Sequence, residues 1–191
     1  MQVEVAELRD IRSWLDLAAE VEALFGNMLD NHGFYDVLLR NIDRRSAYCV
    51  RERDGPPGAP LMGGMLFSPR RPNRPKYRIG WLAVAERWRR RGVGSRLVEH
   101  AFRQVRRPAT ISVVTFGDDV DSGKPPRLLY ERIGFSPAEL APIGPKRGSR
   151  QVYRLELVAP PLALHRQPGD DVGEALVLSL SRGHRSTHAS R

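Results

Sequence analysis

Arg89-Arg90-Arg91-Gly92-Val93-Gly94-Ser95 is the stretch on which the reading of this chain turns. An apolar segment, Ile79-Gly80-Trp81-Leu82-Ala83-Val84, runs into it. Behind it Val93, Leu97, Val98, Ala101, Phe102 and Val105 recur at helical spacing. The stretch is therefore a strand-to-helix turn. Glycine lets backbone approach a ligand because no Cβ intervenes. The free N–H groups of a helix's first turn, at the positive end of its dipole, attract anions. Flanking guanidinium groups add forked donors suited to phosphate. The residues read as a pyrophosphate cradle.

Three phosphate loops compete for this pattern, beside a plain arginine-rich turn that starts a helix. A Walker loop needs Lys before Ser or Thr, and here Gly94 is followed by Ser95-Arg96. A dinucleotide fingerprint needs a small residue where Leu97 stands and an acid about 20 residues on, and lacks both. The third pattern is Arg/Gln-x-x-Gly-x-Gly/Ala. Arg89-x-x-Gly92-x-Gly94 resembles that loop, which binds the coenzyme A pyrophosphate in the GNAT (Gcn5-related) N-acetyltransferases. Leu128-Leu129-Tyr130-Glu131-Arg132-Ile133-Gly134-Phe135 is similar to the family's second signature, a short helix with Leu-Tyr-x-x-x-Gly-Phe. The two occur in the family's order with one strand between them. The resemblance covers residues 2 to 158 and implies a GNAT acetyltransferase domain over 1–158, with 159–191 a mostly disordered tail.

Composition agrees. A chain of 191 residues, 41% hydrophobic, is one globular domain with an appendage. No apolar run approaches the roughly 20 residues of a membrane span, and Met1-Gln2-Val3-Glu4-Val5 does not start like a signal peptide. Cys49 is the only cysteine, which fits a reducing cytoplasm and leaves no cysteine cluster for a metal. The net charge of +9 raises nucleic acid as a partner. The arginines are scattered from Arg9 to Arg191 without interleaved aromatics, so arginine-rich composition is the preferred explanation.

In chain order, Gln2–Leu8 alternates like a strand, and Asp10 is placed to cap the helix that follows. Ile11, Trp14, Leu15, Ala18, Val21 and Leu24 stripe that helix, with Gly26 as its stop. After a turn over Asn27–Gly33, Phe34, Val37, Leu38 and Ile42 mark a second short helix. Ala47–Val50 and Leu61–Phe67 read as strands around a Gly/Pro turn, and Ser68–Lys76, with three prolines, reads as a loop. Tyr77–Ala85 and Thr110–Phe116 are strands on either side of the loop helix, so they should lie parallel. Gly117–Pro126 is an acidic loop before the Tyr130 helix, and Gln151–Leu157 is the last strand. The expected fold is α/β: a mixed, largely antiparallel twisted sheet of about six or seven strands with helices on both faces. It should splay between the Tyr77–Ala85 and Thr110–Phe116 strands.

What the resemblance implies chemically is direct transfer of the acetyl group from acetyl-CoA to an amine, a small molecule rather than a protein, without a metal. The pantetheine would pair with backbone groups of Leu82, Ala83 and Val84, and a Val84 N–H would hold the thioester oxyanion. The N–H groups of Arg91, Gly92, Val93, Gly94 and Ser95 would hold the pyrophosphate, aided by Arg89 and Arg90. Tyr130 would be the general acid, since a phenol of pKa about 10 is protonated at neutral pH; its alternative role is to position the sulfur. In relatives with a carboxylate base early on the cofactor strand, the matching section here is Tyr77-Arg78-Ile79, and Arg78 cannot serve. Asp118 and Asp119 are the candidates instead, beside His32, Glu86 and a water relay. Gly123 stands where many relatives carry an asparagine that touches the cofactor. The rival readings are a GNAT-fold protein that binds acyl-CoA without turnover and an arginine-rich nucleic-acid module. A homodimer and a longer acyl-CoA donor are both compatible with the sequence.

Overall fold

In the computed structural model, which describes residues 1–25, 32–71, 74–144 and 148–158, the chain builds one seven-stranded sheet. Its strands are β1 (Glu4–Val5), β2 (Ala47–Arg51), β3 (Leu61–Arg71), β4 (Arg74–Val84), β5 (Ala109–Phe116), β6 (Ser136–Ala141) and β7 (Arg150–Leu157). Their order is β1-β2-β3-β4-β5-β7-β6, and every neighbouring pair is antiparallel except β4–β5. The described residues also form four α-helices: α1 (Ile11–Phe25), α2 (His32–Asp43), α3 (Val93–Arg103) and α4 (Lys124–Ile133). This is the expected element order and fold class. The compact unit runs from Met1 to Ala159. The expected tail, 159–191, lies outside the described residues, as do Gly26 and the turn 27–31.

Two cores sandwich the sheet. Strand periodicity sends alternate side chains to opposite faces, and β2 shows it: Tyr48 and Val50 join the core under α3 and α4, while Ala47 and Cys49 join the core under α1 and α2. Trp14, Leu17, Ala18 and Val21 of α1 fill the second core. Leu17 therefore replaces Leu15 in the expected stripe, because Leu15 is only half-buried.

Several expectations are corrected. Only Glu4–Val5 of the Gln2–Leu8 segment pairs as a strand. Asp10 takes a capping bond as the third residue of a capping box with Glu7, not as the N-cap itself, and is engaged well beyond that. It sits in a 3-10 turn, fully buried, and takes hydrogen bonds from both Arg51 nitrogens Nε and Nη2 (2.9 and 2.7 Å) and from the N–H groups of Glu7 and Gly58 (both 2.8 Å). The expected loop Ser68–Lys76 is instead the meeting of two long strands, with Pro69 opposite Tyr77 and Pro75 opposite Arg71. Proline is tolerated there because β2 pairs with β3 only up to Leu66 and β5 pairs with β4 only from Lys76. Each proline thus sits where its strand has a free side. The second helix opens earlier than expected, at His32, and α4 begins at Lys124 with Pro125 and Pro126 in its first turn, where a missing N–H costs nothing.

The expected splay is present, and the register gives its cause. Leu66 pairs with Trp81 but Phe67 pairs with Ile79, so Gly80 is the extra residue of a β-bulge in β4. The bulge flips the strand's faces: Ile79 belongs to the α3/α4 core, Trp81 to the α1/α2 core. The parallel ladder to β5 ends at that point, with Ile79 opposite Val113 as its last pair. Beyond it β4 follows β3 to Val84, while β5 follows β7 to Phe116. A wedge-shaped gap opens between them.

Candidate active site

The alternation of hydrogen bonds along β4 decides what faces this gap. The Ala85 N–H donates to the Met62 carbonyl at 3.0 Å. In an antiparallel ladder every second residue bonds the same neighbour, so Ala85 and Ala83 turn their backbone groups to β3, and Leu82 and Val84 turn theirs toward the gap. The Val84 carbonyl accepts from Arg89 Nε at 3.3 Å, as expected of a group that β3 does not use. Of the three residues expected to pair with pantetheine, Leu82 and Val84 are placed to do so. Ala83 is not, for the parity of the strand turns it the other way.

The arginine loop follows a 3-10 turn, Glu86–Trp88, that closes this end of β4. Arg90 and Gly92 both have positive φ, 58° and 80°. A Cβ on Gly92 would meet nothing within 4 Å, so the glycine answers to backbone conformation and leaves open space before the helix. No side chain caps α3 at Gly92, so its first-turn N–H groups keep their capacity for an anion. Trp88 pins the loop: its Nε1 donates to Glu52 Oε1 at 2.8 Å, Arg87 also bonds Glu52, and the Arg91 guanidinium lies 5.2 Å over the indole ring. Arg89, Arg90, Arg91 and Gly92 are exposed; Val93 and Gly94 are buried and Ser95 half-buried.

Gly94 is where loop, gap and Tyr130 helix converge. A Cβ added there would lie 3.1 Å from Leu129 Cδ2 and 3.7 Å from Val84 Cγ2. Its smallness lets α3, α4 and the end of β4 close on one another. Tyr130, next to Leu129, is 4% exposed and shares a core with Leu82, Val84 and Val93. Its ring meets Phe135 edge-on, centroids 5.4 Å apart. Burial pushes its phenol pKa well above the ordinary value, and no charge or hydrogen bond offsets that. The hydroxyl is neutral at any physiological pH.

Asp118 and Asp119 follow β5. Because β4 and β5 are parallel, both carboxylates lie at the sheet end where the gap is open. Both are exposed, and Asp119 accepts a bond from the Ser149 hydroxyl, which leaves Asp118 the less engaged of the two. Glu86 is exposed on the other side of the loop, its N–H bonded to Glu20. His32 starts α2, and its side chain lies outside the described residues. At Gly123 a Cβ would come 2.2 Å from Phe116 Cβ. The asparagine of the relatives has no room here. Among the described residues no cluster of His, Cys, Asp and Glu is arranged to hold a metal.

The profile of the acetyltransferase (GNAT) family matches residues 8–135. The chain belongs to the GNAT acetyltransferase family. Solved GNAT structures share its fold at low identity. An acetyltransferase of the family from Bacillus cereus is 14% identical, with a TM-score of 0.63 over 83% of this chain and 98% of that one. Ard1 from Thermoplasma volcanium is 17% identical at a TM-score of 0.64, again over 83% and 98%. A chain of the NatC complex, solved bound to Gag peptide and CoA, is 20% identical at 0.61 over 83% and 100%. Comparison with curated proteins gives no match. Among the described residues no helix is long and apolar enough to cross a membrane.

The residue that family motifs alone would overlook is Gly80. Its signal was in the sequence, for a lone glycine inside a strand marks a bulge. Its consequence, the place where β4 leaves β5, required the register.

Proposed function

We propose that this chain is an enzyme that moves the acetyl group of acetyl-CoA directly onto the amine of a small molecule. The observation that supports this most is the convergence at Gly94: an uncapped helix start comes close to Val84 at the end of β4 and to Leu129 of α4, next to Tyr130, which packs with Leu82 and Val84. The N–H groups of Arg91 to Ser95 would hold the pyrophosphate, with Arg89 and Arg90 adding charge. The pantetheine would run along Leu82 and Val84 as an added strand does. A cytoplasmic location, where acetyl-CoA is made available, fits the single buried thiol of Cys49.

In the reaction the amine nitrogen attacks the thioester carbonyl carbon. A C–N bond forms, and the carbonyl electron pair moves to oxygen, where a Val84 N–H would receive it. Collapse restores the carbonyl and breaks the C–S bond. The sulfur leaves with that electron pair and takes a proton. Tyr130 would supply it. Its raised pKa keeps the hydroxyl a donor throughout, though further from the pKa of the thiol than an exposed phenol would be, so the transfer must coincide with C–S cleavage. Asp118 would accept the proton that the amine loses, directly or through water.

The test is calorimetric titration of acetyl-CoA into wild type and Gly92→Glu. The new carboxylate would occupy the open space before α3 and repel the pyrophosphate, so binding should fall below detection while the fold persists. Equal binding by both proteins would remove the loop from the site. Bound acetyl-CoA without thiol release across a broad amine panel would favour the binding protein without turnover.

A further inference from the structure

Among the described residues, α1 and α2 pack on β2, β3 and β4, and no buried residue of β5, β6 or β7 belongs to their core. On that face the register brings one row of side chains into line across five strands: Ser68, Arg78, Ser112, Arg154 and Ser136. All point to the same face, because their neighbours Ile79, Val113 and Tyr153 point into the opposite core. The row lies just before the Gly80 bulge, at the root of the gap.

The two cations of this row differ. Arg154 is bonded to Glu139 on β6. Arg78 is exposed and makes no hydrogen bond or ion pair among the described residues. Its strand neighbours on the row are neutral, and Ser112 spends its hydroxyl on the Tyr77 carbonyl at 3.2 Å. Strands advance about 3.3 Å per residue, so the Arg78 backbone lies about 13 Å along β4 from Leu82, less what the bulge removes. A side chain as long as arginine spans much of that interval. α3 and its loop occupy the other face, so a donor held by that loop reaches the gap from there. That leaves the face that carries Arg78 for a second reactant.

We propose that Arg78 binds an anionic group of the acceptor, so that the acceptor is a small amine carrying a carboxylate or phosphonate a few bonds from its nitrogen. This rests on the acetyl-transfer reading of the gap. A guanidinium between the neutral Ser68 and Ser112 is a fork for a planar carboxylate. An acceptor with a cationic or uncharged group in place of the anion meets repulsion or nothing.

The experiment measures thiol release with matched acceptors: glycine, alanine and phenylalanine, each against its α-amide, with aminomethylphosphonate to separate phosphonate from carboxylate. Wild type, Arg78→Met and Arg78→Lys are compared, with acetyl-CoA affinity measured for all three. The expected result is a preference of 10-fold or more in kcat/KM for an anionic acceptor over its uncharged partner. Arg78→Met should erase that preference through KM, with the rate on the uncharged amines and acetyl-CoA affinity unchanged, and Arg78→Lys should restore part of it. A preference that survives Arg78→Met, equal use of charged and uncharged acceptors, or acetyl-CoA binding without turnover of any of these amines overturns the proposal. Failure to bind acetyl-CoA at all would overturn the acetyl-transfer reading itself, a separate outcome.

Discussion

Tyr130 carries a hydroxyl that the fold does not use. Its ring packs in the core against Phe135, but the oxygen has no hydrogen-bond partner among the described residues. No described bond is lost with that oxygen, so Tyr130→Phe should leave the melting temperature unchanged. Acetyl-CoA affinity should also stay. If the hydroxyl protonates the leaving sulfur, single-turnover transfer should fall by roughly 10²–10⁴-fold, the usual worth of a general acid. An unchanged single-turnover rate removes Tyr130 from the chemistry. Loss of cofactor affinity in step with rate would make the hydroxyl a positioning group. A rate lost at unchanged stability, on removal of one oxygen, would not be a packing effect.

The elements around the site are set by contacts that leave no slack. α4 approaches β5 where Gly123 meets Phe116, and a Cβ there would sit 2.2 Å from Phe116 Cβ. Gly123→Asn should therefore not recover the cofactor contact of relatives. It should force α4 outward and lower stability by 1–3 kcal/mol or more, as overpacking does. Since Tyr130 rides on α4, turnover should fall as well. Denaturant unfolding of the variant checks the first effect and thiol release the second. A Gly123→Asn protein as stable as wild type, with tighter acetyl-CoA binding, would mean that α4 has room to move that this packing denies it.

At the scale of the molecule, one buried ion pair ties the N-terminal segment to the sheet. Arg51 on β2 bonds Asp10 and also Glu4 on β1, while Asp10 holds the Gly58 N–H of the β2–β3 connection. Burial raises the Asp10 pKa, but the bonds from Arg51, Glu7 and Gly58 outweigh it and hold the carboxyl below its ordinary value. A depressed carboxyl contributes its full stability above the unfolded pKa, about 3.9, and loses it as pH falls through the lower folded value. Asp10→Asn leaves a buried guanidinium half-paired and should cost about 3–5 kcal/mol near neutral pH. The gap between wild type and variant should stay level above about pH 5 and narrow in acid below that. Urea unfolding at stepped pH measures it, and a gap that does not change with pH would mean that Asp10 acts through packing alone.

The local sequence determined whatever depends on neighbours in the chain. Gly92 and Gly94 beside three arginines identify the loop because backbone freedom, first-turn N–H groups and charge all belong to consecutive residues. Val93, Leu97, Val98 and Ala101 mark their helix by period alone, and the order of strands and helices followed from the same patterns. Tertiary structure decided what depends on register. The Gly80 bulge sets which strand residues face the gap, so Leu82 and Val84 open into it and Ala83 does not. Pro69 and Pro75 read as loop because proline lacks an N–H, yet they are strand residues, since only the sheet order shows which side of each strand is free. Of the bonds Asp10 makes, sequence shows only the capping one, because its partner Arg51 lies 41 residues away. Arg78 showed in sequence only that a base was absent. That it stands exposed and unpaired among the described residues, close to the gap, follows from β3 and β7 brought alongside β4 and β5 by folding, a juxtaposition that no periodicity within one strand contains.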